Sequence, residues 1–209
     1  KQLIPMKRRN FISKTAMGTA ALAGFPTIVP ANVLRENAPS NNIYIGQIGC
    51  GRIARSHDLR DTMAYDAAQI MAVCDLDSNR MKDGKELVDK FYQEKNGKPR
   101  YKGTKMYMDY RDMLNDKDID AVMISTPDHW HSQPAMEAAM AGKDIYLQKP
   151  TSLTVDEGRQ LVHAVQKNNV ILQVGTQQRA MPQFRIAAEL VRNGRIGKLH
   201  TVKIGLPGD

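Results

Sequence analysis

The chain has 209 residues, of which 42% are hydrophobic and 25% are charged, an ordinary globular composition that excludes collagen, a coiled coil and wholesale disorder. The formal net charge is +8, but residues 1–31 contain five basic side chains and no acidic one, which leaves 25 of the 30 basic residues against 22 acidic ones in the rest of the chain. The positive charge therefore belongs largely to the N-terminus, and no general surface for nucleic acid is predicted.

Residues 1–31 have the pattern of a twin-arginine signal peptide. The pair Arg8-Arg9 precedes a mildly apolar stretch, Ala16–Val29, which is too short and too weakly hydrophobic to span a bilayer. The pattern predicts export to the periplasm, and the alternative is a basic, frayed N-terminal tail. Residues 32–42 are interpreted as a linker that is rich in Pro, Asn and Ser.

After the linker, short apolar segments alternate with amphipathic ones. Six strands are predicted, at Ile43–Ile48, Ala68–Cys74, Lys105–Tyr107, Asp120–Ser125, Ile145–Leu147 and Val170–Val174. Five helices are predicted between them. Four lie at Arg52–Met63, Ser78–Glu94, Tyr110–Leu114 and Trp130–Ala141. The fifth begins at a capping box formed by Thr154 and Glu157 and ends at about Asn168. This order predicts an α/β fold over residues 43–175, a doubly wound parallel sheet of the Rossmann type with helices on both faces.

Residues 176–209 are predicted to begin a second α/β domain. A connecting helix is predicted at Phe184–Arg192 and a strand at Leu199–Ile204. The chain stops five residues after that strand, so the strand would have no partner from its own domain, and we expect the second domain to be truncated.

The loop after the first strand carries a dinucleotide-binding pattern, Gly49-Cys50-Gly51-Arg52-Ile53-Ala54. The first glycine permits a tight turn, the second lets the backbone approach a diphosphate, and the helix that follows supplies free N–H groups. By itself such a pattern fits a simple tight turn equally well. Asp75, however, ends the second strand, where its carboxylate would accept hydrogen bonds from a ribose. No arginine directly follows it, which favours NAD over NADP, although Arg80 could overturn that preference.

The ends of two later strands supply further candidates, because ligands bind at the carboxyl ends of the strands in an open parallel sheet. We expect two groups to face the nicotinamide half of the cofactor, Thr126-Pro127-Asp128-His129-Trp130-His131 after the fourth strand and Gln148-Lys149-Pro150 after the fifth. Ser125, at the end of the fourth strand, is also expected to contact the cofactor. A lysine at a buried strand end is hard to explain without a function, because desolvating its ammonium is costly. The alternative is a solvated surface lysine.

Cysteines and histidines predict no metal site. Cys50 and Cys74 fall at strand ends and are interpreted as small hydrophobic residues, with a mutual disulfide as the alternative. His129 and His131 flank the single tryptophan, but no third ligand is apparent.

From Ile43 to Ile204 the sequence resembles the Gfo/Idh/MocA oxidoreductases. Six motifs in order carry the resemblance, namely the glycine pattern at 49–54, Thr126-Pro127 with His131, Gly142-Lys143, Lys149-Pro150, Gln173-Val174-Gly175 with Arg179, and Gly194-Arg195-Ile196-Gly197. The resemblance implies a Rossmann domain and a second domain that binds substrate and often forms the interface of a homo-oligomer. It also implies a bound nicotinamide cofactor and the oxidation or reduction of sugars or polyols.

The resemblance further implies roles for single residues. Lys149 would move a proton at the substrate hydroxyl while hydride passes to the nicotinamide. Trp130 would cover a nucleotide or sugar face, and Arg179 would contact the cofactor carboxamide or the substrate, with a structural salt bridge as its alternative. Cofactor contacts or support are implied for His131, Gln148 and Gln177. Gln148 departs from the glutamate that is usual in the family.

The family's second catalytic residue has no counterpart in these 209 residues, so we expect this chain by itself to bind cofactor without turning over substrate. Three functions follow for the whole protein: a periplasmic NAD-dependent sugar or polyol oxidoreductase, a glycosidase that acts by transient oxidation and elimination, and a non-catalytic nucleotide-binding protein.

Overall fold

The computed structural model of the protein describes residues 42–96 and 103–205. The predicted signal peptide and residues 32–41 of the predicted linker lie outside these residues. The described residues form six strands, β1 (Ile43–Ile48), β2 (Ala68–Cys74), β3 (Lys105–Tyr107), β4 (Ala121–Ile124), β5 (Asp144–Leu147) and β6 (Leu172–Val174). They pair in parallel in the order β3-β2-β1-β4-β5-β6. Because the chain moves outward from β1 in both directions, this is the doubly wound Rossmann topology that the sequence predicts.

Helices connect the strands and cover both faces of the sheet. The first begins directly after Gly51, passes through a π-helical segment (Ala54–Asp58) and ends as α1 (Leu59–Met63). The others are α2 (Ser78–Asn96), α3 (Tyr110–Leu114), α4 (Ser132–Met140), α5 (Val155–Asn168), α6 (Gln177–Ala180) and α7 (Pro182–Arg192). A 3₁₀ turn (Asp128–Trp130) precedes α4. Within the two described ranges, no helix combines the length and the apolar character that a membrane crossing requires.

The core consists of two apolar layers, one on each face of the sheet. In β4 the side chains of Val122 and Ile124 pack into the layer under α3, α4 and α5, whereas Met123 packs into the layer under the first helix and α2. Successive side chains of a strand point to opposite faces, so a strand covered on both sides must be apolar at every position. This double burial explains the continuous apolar segments of the sequence.

One local prediction is confirmed at the start of α5. The Thr154 hydroxyl accepts a hydrogen bond from the Glu157 N–H at 3.2 Å, and the Glu157 carboxylate accepts one from the Thr154 N–H at 3.2 Å, which is a capping box. After α4, Gly142 has φ +73° and reverses the chain, and Lys143 then turns inward. Its ammonium donates to carbonyl oxygens that precede β4, at 2.8 Å and 2.7 Å. Burial lowers the pKa of Lys143.

The prediction of a strand at Leu199–Ile204 is wrong. Residues 198–205 form no strand, and the side chains of Leu199, Val202 and Ile204 are exposed. A strand requires a neighbouring backbone for its hydrogen bonds, and no strand of the described residues lies beside this segment. The helix before it begins at Pro182, two residues earlier than predicted, and the short α6 was not predicted.

Candidate nucleotide-binding and redox site

The glycine loop passes very close to the end of β4. Gly49 has φ +84°, a left-handed conformation that L side chains rarely adopt, and its N–H donates to the Cys74 carbonyl at 2.8 Å. A Cβ atom at this position would lie 2.8 Å from the carbonyl oxygen of Ser125. Position 49 therefore requires glycine for two reasons: its backbone is left-handed, and there is no space for a Cβ atom.

Gly51 has the opposite surroundings, since a Cβ atom at this position would meet nothing within 4 Å. The Gly51 carbonyl accepts the first hydrogen bond of the helix, from the Arg55 N–H at 3.1 Å. N–H groups in a first helical turn have no carbonyl one turn earlier to bond to, and they favour an anion there. The open space at Gly51 beside such a helix start fits the diphosphate of a dinucleotide.

Asp75 connects the end of β2 to the glycine loop. One carboxylate oxygen accepts a hydrogen bond from the Cys50 N–H at 2.7 Å, and the other accepts one from the Asp77 N–H at 2.9 Å. The sequence did not indicate this contribution to the loop. Each oxygen can accept further hydrogen bonds, so the predicted contact with a ribose remains compatible with the geometry.

Arg80, the residue that could have overturned the preference for NAD, is paired with a carboxylate. Its guanidinium Nε lies 3.5 Å from Asp77, whose carboxylate also accepts hydrogen bonds from the backbone of Asn79 and Arg80 at the start of α2. These backbone hydrogen bonds lower the pKa of Asp77. A negative charge stays beside Arg80, which supports NAD over NADP.

The two cysteines lie inside the protein and are free, so the alternative of a mutual disulfide is not what the structure shows. Burial raises the pKa of Cys50 to about 12 and that of Cys74 to about 12. The thiol of Cys50 faces α2, where a Cβ on Gly84 would lie 3.0 Å from the sulfur. The Cys50 side chain is therefore not available to a nucleotide, and its N–H already donates to Asp75.

His131 links the loops that follow β4 and β5. Its side chain is only 1% exposed, Nε2 lies 2.8 Å from the Thr126 carbonyl oxygen, and Nδ1 contacts the Pro150 carbonyl oxygen. Both ring nitrogens are therefore engaged by the backbone. This geometry agrees with a histidine that supports the pocket rather than one that binds a ligand through its ring nitrogens.

Lys149 is exposed, so the expectation that it is a buried lysine is wrong. The buried position at the end of β5 belongs to Gln148, and the chain leaves the sheet immediately afterwards at the cis peptide bond between Lys149 and Pro150. The cost of burying an ammonium therefore cannot be used as an argument for catalysis. Lys149 still lies just after the carboxyl end of β5, an inner strand of the sheet. Its catalytic role stays a prediction that depends on this position.

The remaining predicted residues lie at the same edge of the sheet or beyond it. Trp130 is 49% exposed in the 3₁₀ turn after β4. Gln177, at the start of α6, forms a side-chain hydrogen bond to the hydroxyl of Tyr146 on β5, and burial raises the pKa of that tyrosine. Arg179 is exposed on α6. The contacts of Trp130, Gln177 and Arg179 with cofactor or substrate stay predictions.

Sequence reasoning missed a buried polar cluster under these loops, formed by Gln47, Asp58, Ser125 and Gln148. The Ser125 hydroxyl donates to Asp58 at 2.6 Å, the Gln148 amide donates to the other carboxylate oxygen at 2.8 Å, and the Gln47 amide donates to the Ser125 hydroxyl at 3.1 Å. Asp58 is 5% exposed, and burial raises its pKa. One signal was available: Asp58 follows Ala54 by four residues, which places it on the helix face that packs on the sheet.

No group of three or more His, Cys, Asp or Glu side chains among residues 42–96 and 103–205 is arranged to hold a metal ion.

Comparison with known proteins agrees with this geometry. The profile of the family GFO_IDH_MocA, described as "Oxidoreductase family, NAD-binding Rossmann fold", matches residues 43–176. An uncharacterized oxidoreductase, YrbE of Bacillus subtilis, is 35% identical over 165 residues, which cover 79% of this chain and 44% of that protein. A glycosyl hydrolase family 109 protein of Shewanella baltica is 29% identical over 210 residues, covering 92% of this chain and 44% of that protein.

Among solved structures, the crystal structure of myo-inositol 2-dehydrogenase from Lactobacillus plantarum has a TM-score of 0.64 and 26% identity, covering 75% of this chain and 43% of that one. The chain thus spans less than half the length of each of these three proteins. The glycine loop, the acidic end of β2, the strand order and the family profile lead to one conclusion: this chain belongs to the Gfo/Idh/MocA oxidoreductases and contains their NAD-binding Rossmann fold.

Proposed function

We propose that the full-length protein is an NAD-dependent oxidoreductase that transfers hydride between a hydroxyl-bearing carbon of a sugar, glycoside or polyol and the nicotinamide. The observation that carries this proposal is the glycine loop, with its open face at Gly51 and its hydrogen bond to Asp75, at the same sheet edge as Lys149. Inositol dehydrogenases among the relatives support the substrate class.

In this proposal some residues of the chain bind the cofactor, and Lys149 transfers the proton. The backbone from Gly51 to Ile53, at the start of the first helix, holds the diphosphate, while the Gly49 and Cys50 N–H groups keep the loop in shape through Cys74 and Asp75. Asp75 accepts hydrogen bonds from the adenosine ribose. NAD supplies the hydride acceptor when it is bound. Lys149 would take the proton of the substrate hydroxyl as the C–H hydride leaves, and its exposure makes the side chain accessible to a substrate.

A direct test combines the full-length protein with NAD⁺ and a panel of sugars, glycosides and inositols, and follows the absorbance of NADH. Net NADH that depends on one of these substrates supports the proposal. A protein that binds neither NAD⁺ nor NADH, as judged by calorimetry, would refute it.

A second candidate, a glycosidase that oxidises its substrate transiently, is favoured by the match to the family 109 glycosyl hydrolase over 92% of this chain. In that reaction oxidation to the ketone would acidify the neighbouring C–H bond, elimination would release the aglycone and leave an unsaturated ketone, and water would add to its double bond. Return of the hydride to the ketone would then give the free sugar and regenerate NAD⁺. Release of a chromogenic aglycone without net NADH would identify it. A non-catalytic nucleotide-binding protein would give neither signal while still binding NAD.

We further propose that the protein is exported to the periplasm by the twin-arginine route and forms a homo-oligomer through a further C-terminal domain. The Arg8-Arg9 pair and the apolar stretch after it support export. Replacing both arginines by lysine keeps the charge, and we expect it to stop export. Normal export of that variant would contradict the proposal, and size-exclusion chromatography with light scattering of the full-length protein tests the oligomer.

A further inference from the structure

Asp58 is a buried carboxyl group whose two oxygens are both occupied by donors from other elements. It is the last residue of the π-helical segment, and its partners, Ser125 and Gln148, directly follow β4 and β5. Among the described residues, no basic side chain forms an ion pair with Asp58. Burying a carboxyl group without an opposite charge costs free energy that its hydrogen bonds must offset. A buried acid at this place therefore calls for a functional explanation.

This carboxylate determines which way the amide of Gln148 points. An ionised carboxylate only accepts hydrogen bonds, so the amide must turn its NH₂ group toward Asp58. The amide oxygen then faces the other way, where it accepts a hydrogen bond from the Lys149 N–H at 3.3 Å and lies 3.3 Å from the position of a Cβ on Gly175. Gln148 therefore presents an acceptor on the side of Lys149, as a glutamate at this position would.

Asp58 also places a charge beside the uncharged amide of Gln148. Burial raises the pKa of Asp58, but the hydrogen bonds that it accepts from Ser125 and Gln148 favour its ionised form. The Asp58 carboxylate, 2.8 Å from the Gln148 amide, therefore brings a negative charge to this edge of the sheet. That charge is buried and far less screened by salt than a surface carboxylate.

We propose that Asp58 is a positioning residue that orients the Gln148 amide and, through its charge under the ends of β4 and β5, makes the site prefer oxidised NAD⁺ over NADH. The inference rests on the proposed function, because it requires the nicotinamide end of the cofactor to lie at these strand ends. The oxidised ring is positive and the reduced ring is neutral, so a nearby negative charge stabilises bound NAD⁺ selectively.

The test measures the dissociation constants of NAD⁺ and NADH by calorimetry in the full-length protein. Asp58→Asn removes the charge and keeps the shape of the side chain. We expect the dissociation constant of NAD⁺, divided by that of NADH, to rise by about threefold to tenfold. Glu94→Gln is the matched control, because it also removes one carboxylate charge, at an exposed position of α2. Its ratio should stay at the wild-type value.

A reciprocal exchange provides the second test. Gln148→Glu alone sets two carboxyl groups in hydrogen-bonding contact under the sheet edge, and we expect a lower melting temperature and weaker NAD⁺ binding. The double variant Asp58→Asn with Gln148→Glu exchanges acid and amide within the same pair, and we expect it to recover both the melting temperature and the wild-type ratio. This variant also keeps the proposal testable if Asp58→Asn alone does not fold.

The outcomes separate this inference from the proposed function. Wild-type protein that binds neither NAD⁺ nor NADH overturns the proposed function and the inference together. Wild-type protein that binds both, with an Asp58→Asn variant that weakens both equally or leaves the ratio unchanged, overturns the inference alone, because a purely structural role would not discriminate between the two redox states.

Discussion

Replacing Gly49 by alanine should destabilise the protein, and the magnitude can be worked out from its surroundings. The left-handed backbone at φ +84° costs an L residue about 1–2 kcal/mol. The new methyl group would lie 2.8 Å from the Ser125 carbonyl oxygen and 3.0 Å from the Thr126 nitrogen. Those backbone atoms cannot simply move away, because the Ser125 N–H is hydrogen-bonded to the Ile48 carbonyl at 2.9 Å.

Overpacking of this kind costs about 1–3 kcal/mol, so the free energy of unfolding should fall by about 2–5 kcal/mol. Urea denaturation followed by circular dichroism measures that loss. Gly51→Ala is the matched control, since its methyl group meets nothing within 4 Å. It should change stability by less than about 0.5 kcal/mol while weakening NAD binding, because its methyl group occupies the space that we assign to the diphosphate. A stable Gly49→Ala variant, or equal losses of stability for both variants, would refute the reasoning.

Three further predictions concern a cofactor contact, the proton transfer and the acid stability. Asp75→Ala leaves two backbone N–H groups without their acceptor, so we expect a loss of about 1–3 kcal/mol of stability together with a higher dissociation constant for NAD⁺, and an unchanged constant would show that the ribose is bound elsewhere. Lys149→Ala in the full-length protein should lower turnover by at least about 100-fold with NAD⁺ affinity retained, and undiminished turnover would remove Lys149 from the mechanism. Burial raises the pKa of Asp116, but hydrogen bonds from the Lys105 ammonium and from neighbouring groups outweigh it and bring the pKa down to about 2. A depressed folded pKa stabilises the protein above the unfolded pKa of about 4 and loses that effect as the pH falls from 4 to 2. Asp116→Asn should therefore make the melting temperature depend less steeply on pH in this interval. A pH dependence as steep as that of the wild type would contradict the assignment.

Much of the fold could be read from local patterns. The capping box at Thr154 and Glu157 depends on residues three apart, and the continuous apolar segment that became β4 depends on burial on both faces. The glycine loop is equally local, because a left-handed turn between a strand and a helix constrains residue 49 whatever surrounds it. These signals require no knowledge of distant residues, which is why the fold class and the nucleotide loop could be predicted from them.

Two errors concern the surroundings of a segment rather than its own composition. Leu199–Ile204 has the composition of a strand, but a strand forms only beside another backbone. Lys149 seemed buried because its strand is buried, yet the chain leaves the sheet one residue earlier and Gln148 takes the interior position.

The sequence by itself determined the elements, their order and the nucleotide loop, since hydrophobic periodicity and backbone conformation act within a few residues. Only the tertiary structure decided that Asp58 contacts Ser125 and Gln148, which lie 67 and 90 residues away along the chain. Such contacts depend on how the first helix packs against the sheet. The spacing from Ala54 indicates only that Asp58 faces the sheet, and no local pattern encodes which side chains it meets there, because partners from distant strands converge only in the folded protein.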